Sequence, residues 1–418
     1  HIKGNQGCTR CCELVAMCKA SLRPWQGLAW VLLFVGRSRA SVDADQCQSG
    51  MSCQQAGAVT ELDHAWRDLM DHAEVMKGMH LRTLLQDQQR NDAMFLRSGG
   101  VILDYSREKV TNETMTKLLT LARWARVEEK KHQMFQGGEI NKVEGRAVLH
   151  VALRAARSEV ITYEGRNVVP EVWAVLDRVK EFVAKVRQAE WQGYTGKRLT
   201  DVVCIGIGGS YLGNEFVFEA LKTDPKAAAA AAGRRLRFLS NVDPIDVSRA
   251  LNGLSAETTL VVVISKTFTT AETMLNAQTV KEWLKQGLGG SPSASGLAKH
   301  LVACSTALDK TEDFGIDPAN VFAFWDWVGG RFSVSSVVGA LPLALHYGFD
   351  IFEMLLLGAR DMDKHFLEAE PLRNLPLVLG LLAVWNLSCL RYTACAILPY
   401  SQALVRFVPH VQQLDMES

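Results

Sequence analysis

Two short apolar runs, each followed at once by a glycine- or hydroxyl-rich loop and then by helical spacing, constrain this chain more than any other feature. The first is DVVCIGIGGSYLGNEFVFEAL, Asp201 to Leu221, and the second is TLVVVISKTFTTAETMLNA, Thr259 to Ala277. Val202 to Ile205 and Val261 to Ile264 are continuous apolar stretches, the pattern of parallel strands buried on both faces. Phe216, Phe218 and Leu221 then fall on helical positions, as do Ala271, Met274, Leu275 and Ala277. Strands and helices alternate from Val168 to about Ala307, which predicts a parallel sheet with right-handed crossovers.

The turns between strand and helix carry the chemistry. The first backbone N–H groups of a helix have no internal partner, and the helix dipole favours an anion there. Ser265, Lys266, Thr267 and Thr270 would complete a phosphate cradle, although Thr269 or Thr270 with Glu272 and Thr273 would equally serve as an ordinary N-cap. The other turn reads G-x-G-G-S-x-x-G from Gly206 to Gly213, and its glycines let the backbone approach a ligand. It departs from the dinucleotide fingerprint G-x-G-x-x-G, and RLRFLSNVDP, the next strand, ends in Ser240 and Asn241 rather than an acidic residue. Two such loops in strand–helix units favour a small phosphorylated ligand over a dinucleotide.

Composition narrows the classes further. The 418 residues, 48% hydrophobic, are enough for two domains. With 46 basic and 45 acidic residues the net charge is +1, so nothing suggests nucleic acid or an acidic membrane as partner, and GRRLR at Gly233 to Arg237 lacks interleaved aromatics. No apolar run approaches the roughly 20 residues that span a bilayer. The longest, LPLVLGLLAVWNL from Leu375 to Leu387, reads as a helix buried in a large α/β domain. Six of ten cysteines precede residue 54, whereas Cys204, Cys304, Cys389 and Cys395 sit in apolar contexts typical of reduced thiols, which implies a cytoplasmic body. Cys8, Cys11, Cys12 and Cys18 lack the paired spacing of a zinc site.

Residues 1–55 differ from the rest and read as an atypical extension, disordered or artefactual. GLAWVLLFVGRSRASVDA within it resembles a secretory segment if translation starts at Met17. Residues 56–165 form a helical region: ELDHAWRDLMDHAEVM puts Leu62, Trp66, Leu69, Ala73 and Met76 on one face. VILDYS reads as a short strand. In NKVEGRAVLHVALRA, Glu144, Arg146 and His150 share a polar register of an apolar helix, where His150 is most simply hydrogen-bonded in place. The sheet domain spans 166–345, and 346–418 opens a further unit with the helix IFEMLLLGARDMDKHF.

WDWVGGRFS adds a charge: Gly329 and Gly330 free the backbone, Arg331 projects a guanidinium able to stabilise an oxyanion, and four neighbouring aromatics favour its burial. Together GIGGS, SKTFTT, DWVGGRFS and QQLDMES, in that order, resemble the glucose-6-phosphate isomerase (phosphoglucose isomerase) family, with similarity from about Leu62 to Ser418 that includes HLRTL, LDYS, EGRAVLH and AILPYSQ. The resemblance implies an α/β fold of two doubly wound parallel-sheet sugar-isomerase (SIS-type) domains, the second incomplete here, with an N-terminal helical region. It further implies a homodimer working without metal or nucleotide cofactor. It assigns a hexose 6-phosphate to Gly208, Gly209, Ser210, Ser265, Lys266, Thr267, Thr270, Gly330 and Gln413. Glu417 would be the base that moves a proton between C2 and C1 through a cis-enediolate, and Arg331 would stabilise that intermediate. Tyr211, Asn214 and Leu414 depart from the family's usual Asp, Pro and Gly, and a side chain at Leu414 could shift the loop bearing Glu417. The family's ring-opening histidine and late lysine are not in this sequence, so impaired catalysis by this chain alone is expected. A non-catalytic phosphosugar-binding regulator is the alternative, and an amino-sugar isomerase a weaker one.

Overall fold

The computed structural model describes residues 53–290 and 292–417. The expected extension therefore lies outside the described residues, except that Cys53 to Gln55 begin the first helix. The principal helices are α1 (Cys53–Gly78), α2 (Asn112–Trp124), α3 (Val169–Gln188), α4 (Leu212–Leu221), α5 (Ala271–Gly287), α6 (Val337–Tyr347), α7 (Phe349–Glu368), α8 (Leu375–Val384) and α9 (Phe407–Met416). The chain divides into two compact units, one built from residues up to 135 with 358–397, the other from 136–357 with 398–417.

The first unit is mainly helical. Leu69, Ala73 and Met76 of α1 are buried with Met115, Leu118 and Leu121 of α2 and Leu377, Val378 and Leu381 of α8. The α1 face is the one its periodicity predicts. Thr111 starts α2 with a reciprocal cap, its hydroxyl accepting from the Thr114 N–H while Thr114 Oγ1 accepts from the Thr111 N–H. The run LPLVLGLLAVWNL is buried among these helices rather than in the sheet domain expected of it. Its all-round apolarity demands burial but does not choose the partner. Trp385 at its end is fully buried and donates Nε1–H to the Lys109 carbonyl at 2.9 Å. The VILD strand forms as β2 (Val101–Asp104), paired antiparallel with a strand the sequence did not announce, β1 (Phe95–Ser98).

The second unit includes a short hairpin of two-residue strands, β3 (Thr162–Tyr163) and β4 (Arg166–Asn167), and holds a five-stranded sheet of β5 (Asp201–Ile205), β6 (Arg235–Leu239), β7 (Thr259–Ile264), β8 (Leu301–Cys304) and β9 (Val321–Phe322). Strand order is β6-β5-β7-β8-β9, every pair parallel. β5, β7 and β8 are buried along their whole length, which is why they lack apolar–polar alternation. Val203, Ile205, Val261 and Val263 share one core with Ala277, Val280 and Leu284 of α5. On the opposite face the Cys304 thiol donates to the Val337 carbonyl of α6. Helices thus cover both faces of an α/β sheet, and the strand order reverses between β5 and β7.

NKVEGRAVLHVALRA does not form the expected helix. Gly145 has φ of 61°, a left-handed conformation no helix continues through, and Asn141 and Arg146 close an antiparallel bridge around it. Only His150–Arg154 winds, as a 3-10 turn. Of residues 346–418, expected to open a further unit, 349–417 hold α7, α8, α9 and a largely exposed irregular run from Arg391 to Tyr400.

A candidate phosphate site at the carboxyl edge of the sheet

In open α/β sheets the crevice for a ligand lies beyond the carboxyl ends of the strands, where the strand order reverses. Here that point falls between β5 and β7, and the two loops singled out in the sequence leave these two strands. Their placement follows from topology before any side chain is considered.

The loop after β5 turns through Gly208, whose φ of 58° suits glycine, and a Cβ there would stand 3.1 Å from Nε2 of Gln413. At Gly209 a Cβ would lie 2.2 Å from the Gly330 carbonyl carbon and 2.7 Å from the Arg331 nitrogen. Only hydrogen fits, so the GIGGS and GGRFS backbones meet directly. Gly330 itself is exposed with open space on its side-chain side. Ser210 closes the turn, its N–H donating to the Ile207 carbonyl, and its own carbonyl accepts from Asn214 Nδ2 at 3.0 Å. Asn214 also donates to Val338 at 2.9 Å, tying the loop to α6. Tyr211 packs edge-on against Phe238, and burial and then Glu215 push its hydroxyl pKa up.

In the loop after β7, Ser265 is buried and its hydroxyl accepts from the Phe268 N–H at 3.1 Å. Phe268 is itself buried with φ of 54°, a costly conformation for an aromatic residue. Lys266 Nζ donates to the Asp326 carbonyl at 3.0 Å and lies 3.2 Å from its carboxylate, which carries the loop toward the Trp325–Arg331 segment. The Thr267 and Thr269 hydroxyls are 2.7 Å apart. Thr270 occupies the N-cap of α5 in extended backbone, yet its hydroxyl makes no capping bond. The ordinary-cap reading of this stretch is therefore not how α5 begins.

Arg331 is the charge set against these loops. Its side chain is 12% exposed and stands over the Phe332 ring, with Nη1 3.8 Å from Glu144 Oε1. Burial lowers its pKa, while Glu144 and Glu417 act the other way. Burial alone would raise the Glu144 carboxyl, but the hydrogen bond from Arg146 and the charges of Arg146 and Arg331 outweigh it and hold the group below its ordinary value. Arg146 also donates to the Asp326 carbonyl at 3.2 Å. Glu417 lies exposed at the C-cap of α9, its Oε1 accepting from Gln413 Nε2 at 2.8 Å. Leu414 is buried within regular α9 helix, so no glycine conformation is required there.

Every sequence-predicted site residue thus lies in the second unit, on loops or helix ends that approach one another. Sequence reasoning missed the Glu144–Arg146–Asp326 group beneath Arg331. The EGR stretch was visible, but its helical reading hid that Gly145 turns both side chains to one side. His150, beside it, is buried and accepts at Nδ1 from Arg154 at 2.7 Å, so it serves as a hydrogen-bonded support. Among the described residues no group of three or more His, Cys, Asp or Glu could hold a metal ion, and no helix is long and apolar enough to cross a membrane.

Fold and site together define an α/β protein of the sugar-isomerase type, with phosphate-type loops at the switch point of a parallel sheet. The model of the family described as phosphoglucose isomerase matches residues 104–418, and the chain belongs to that family. It is 58% identical over 354 residues to the cytosolic glucose-6-phosphate isomerase of Arabidopsis thaliana, covering 85% of this chain and 62% of that protein. Cytosolic glucose-6-phosphate isomerase B of Oryza sativa subsp. japonica is 58% identical over 353 residues, again with 62% of its length covered. The crystal structure of a glucose-6-phosphate isomerase from Chlamydia trachomatis matches with a TM-score of 0.72 at 29% identity, over 84% of this chain and 64% of that one. The chain therefore spans somewhat under two thirds of the length of these relatives.

Proposed function

We propose that this chain carries the phosphate-binding and proton-transfer parts of an enzyme interconverting glucose 6-phosphate and fructose 6-phosphate. The observation that carries the reading is the close approach of GIGGS to GGRFS and to Gln413, whose amide also reaches Glu417, with Gly209 too close to Gly330 for any side chain. Ser210, Ser265, Lys266, Thr267 and Thr270 hold the phosphate, with the uncapped start of α5 supplying N–H donors. Gln413 turns its amide to Glu417 while its buried Oε1 has no protein partner among the described residues, which suits a ligand hydroxyl or water. Glu417 takes the proton from C2 and returns it at C1. Arg331 stabilises the enediolate oxygen, and Glu144 and Arg146 orient Arg331. The relatives' names support a cytosolic setting, and homodimerisation is proposed on the family resemblance.

The test follows fructose 6-phosphate in heavy water by NMR, with binding measured in parallel by calorimetry. The chain is expected to bind the sugar phosphate and to introduce solvent deuterium at the carbon that is deprotonated. Lys266→Ala abolishes binding, whereas Glu417→Gln retains binding and loses exchange. Binding without exchange in the unaltered chain would overturn the catalytic reading in favour of a phosphosugar-binding regulator.

A further inference from the structure

A second polar groove lies wholly within the first unit, between β1, the end of α7 and the short turn Pro371–Arg373. Its volume is about 500 Å³, and Phe95, Arg97, Ser98, His365, Glu370 and Arg373 line it. Arg97 and Arg373, both exposed, are lining residues, as is Glu370, and neither arginine has a carboxylate within ion-pair distance among the described residues. Arg97 lies over the Phe95 ring with 5.1 Å to the centroid. Stacking holds the plane of the guanidinium and leaves its edge N–H groups to a planar or tetrahedral oxyanion.

Ser98 and His365 complete the arrangement, and their chemistry can be worked out from partners. His365 Nε2 accepts from the Leu375 N–H at 3.1 Å, so in the neutral ring the proton sits on Nδ1, 3.0 Å from Ser98 Oγ. Burial lowers the His365 pKa, consistent with that neutral ring. A ring whose Nδ1 carries the proton cannot take one from Ser98, so the pair is no nucleophilic dyad. Instead Ser98 accepts from the ring and its own O–H remains to be donated. The groove therefore offers two cationic forks, one oriented hydroxyl donor and one carboxylate able to accept from a hydroxyl.

We infer that this groove binds the phosphate of a small phosphorylated polyol, with Arg97, Arg373 and Ser98 holding the oxyanion and Glu370 meeting a hydroxyl. The site is separate from the sheet-edge crevice, so that crevice is disabled for the test by Ser265→Ala with Lys266→Ala. Glycerol 3-phosphate and inorganic phosphate are the probes, titrated by calorimetry into the full chain carrying those two changes. One saturable equivalent of glycerol 3-phosphate is expected, tighter than phosphate alone. Arg97→Gln and Arg373→Gln each weaken it about tenfold, as loss of a charge-assisted hydrogen bond requires. Glu370→Gln narrows the preference for the polyol phosphate over phosphate. Thermal unfolding of each variant checks the fold, and Arg97→Lys and Arg373→Lys, which keep the charge, give intermediate binding. Absence of saturable binding in the doubly altered chain, or affinity indifferent to both glutamine replacements, overturns the proposal.

Discussion

The two edges of the parallel sheet are built from the same strands and treat polar groups in different ways. At the amino edge they are consumed. Asp201 is buried and accepts from Arg235 Nε and Nη2 and from the Thr258 hydroxyl. His300, fully buried, uses both ring nitrogens, on the Thr259 carbonyl and the Tyr194 N–H. Arg187 spends its guanidinium on the carbonyls of Leu345, His346 and Ala230. At the carboxyl edge the Thr270 hydroxyl leaves its helix uncapped, Glu417 is exposed, and Phe268 is held in a left-handed conformation. The amino-edge groups named pair within the chain; at the carboxyl edge Ser265 and Lys266 also do, with the Phe268 N–H and Asp326, but the Thr270 hydroxyl makes no cap and Phe268 carries backbone strain.

The sharpest way to break that contrast is Glu417→Gln. Proton exchange on the sugar phosphate is expected to fall by about 10²- to 10⁴-fold with unfolding free energy unchanged within about 0.5 kcal/mol, read by NMR and urea titration. Gly209→Ala should come next. Its new methyl collides with the Gly330 backbone, so sugar-phosphate binding measured by calorimetry is lost while the far-ultraviolet circular dichroism of the sheet persists.

Asp201→Asn reverses the pattern. It removes a buried charge from a three-donor site, and because Arg235 is partly exposed and can rehydrate, the loss is about 2 kcal/mol of stability with binding unaffected. The pH dependence of stability sharpens the comparison by placing one histidine on each side. Burial, with Arg187 and Arg234 nearby, lowers His346 to about 4, and burial alone lowers His410 to about 4. The unfolded chain takes up these protons near pH 6.5 and the folded chain does not until about 4. Stability is therefore whole above about pH 6.5 and falls on acidification, by up to about 1.4 kcal/mol per pH unit for each histidine. His346→Gln should flatten the urea-derived profile by one proton. The smallest effect is Thr270→Ala: because the hydroxyl does not cap α5, stability should move by less than about 0.5 kcal/mol, short of the usual cost of a lost cap, while sugar-phosphate affinity weakens severalfold.

The strands of this sheet were legible because burial on both faces leaves an unbroken apolar run in β5 and β7, and the loops were legible because glycines and hydroxyls interrupt each run before helical spacing resumes. Of the two candidates for the cap, Thr269 and Thr270, the second stands at the N-cap position, although its hydroxyl makes no capping bond. Less was legible where meaning depends on distant partners. β1 is four residues without apolar alternation and exists through its pairing with β2. The α8 run is apolar on every side, so its sequence cannot say that helices surround it. Glu144 lies far along the chain from Arg331, and a helical period imposed on its segment concealed Gly145.

β5 and β7 are hydrogen-bonded neighbours, so the two phosphate-type loops begin one strand spacing apart, about 4.8 Å. That interval is a ruler made of main chain. Surface substitutions can change which groups the loops present, but they cannot lengthen it without breaking the ladder between Val203 and Val261. Mutational drift in this molecule should therefore alter the groups that the two loops present much sooner than it alters the spacing between the strands that carry them.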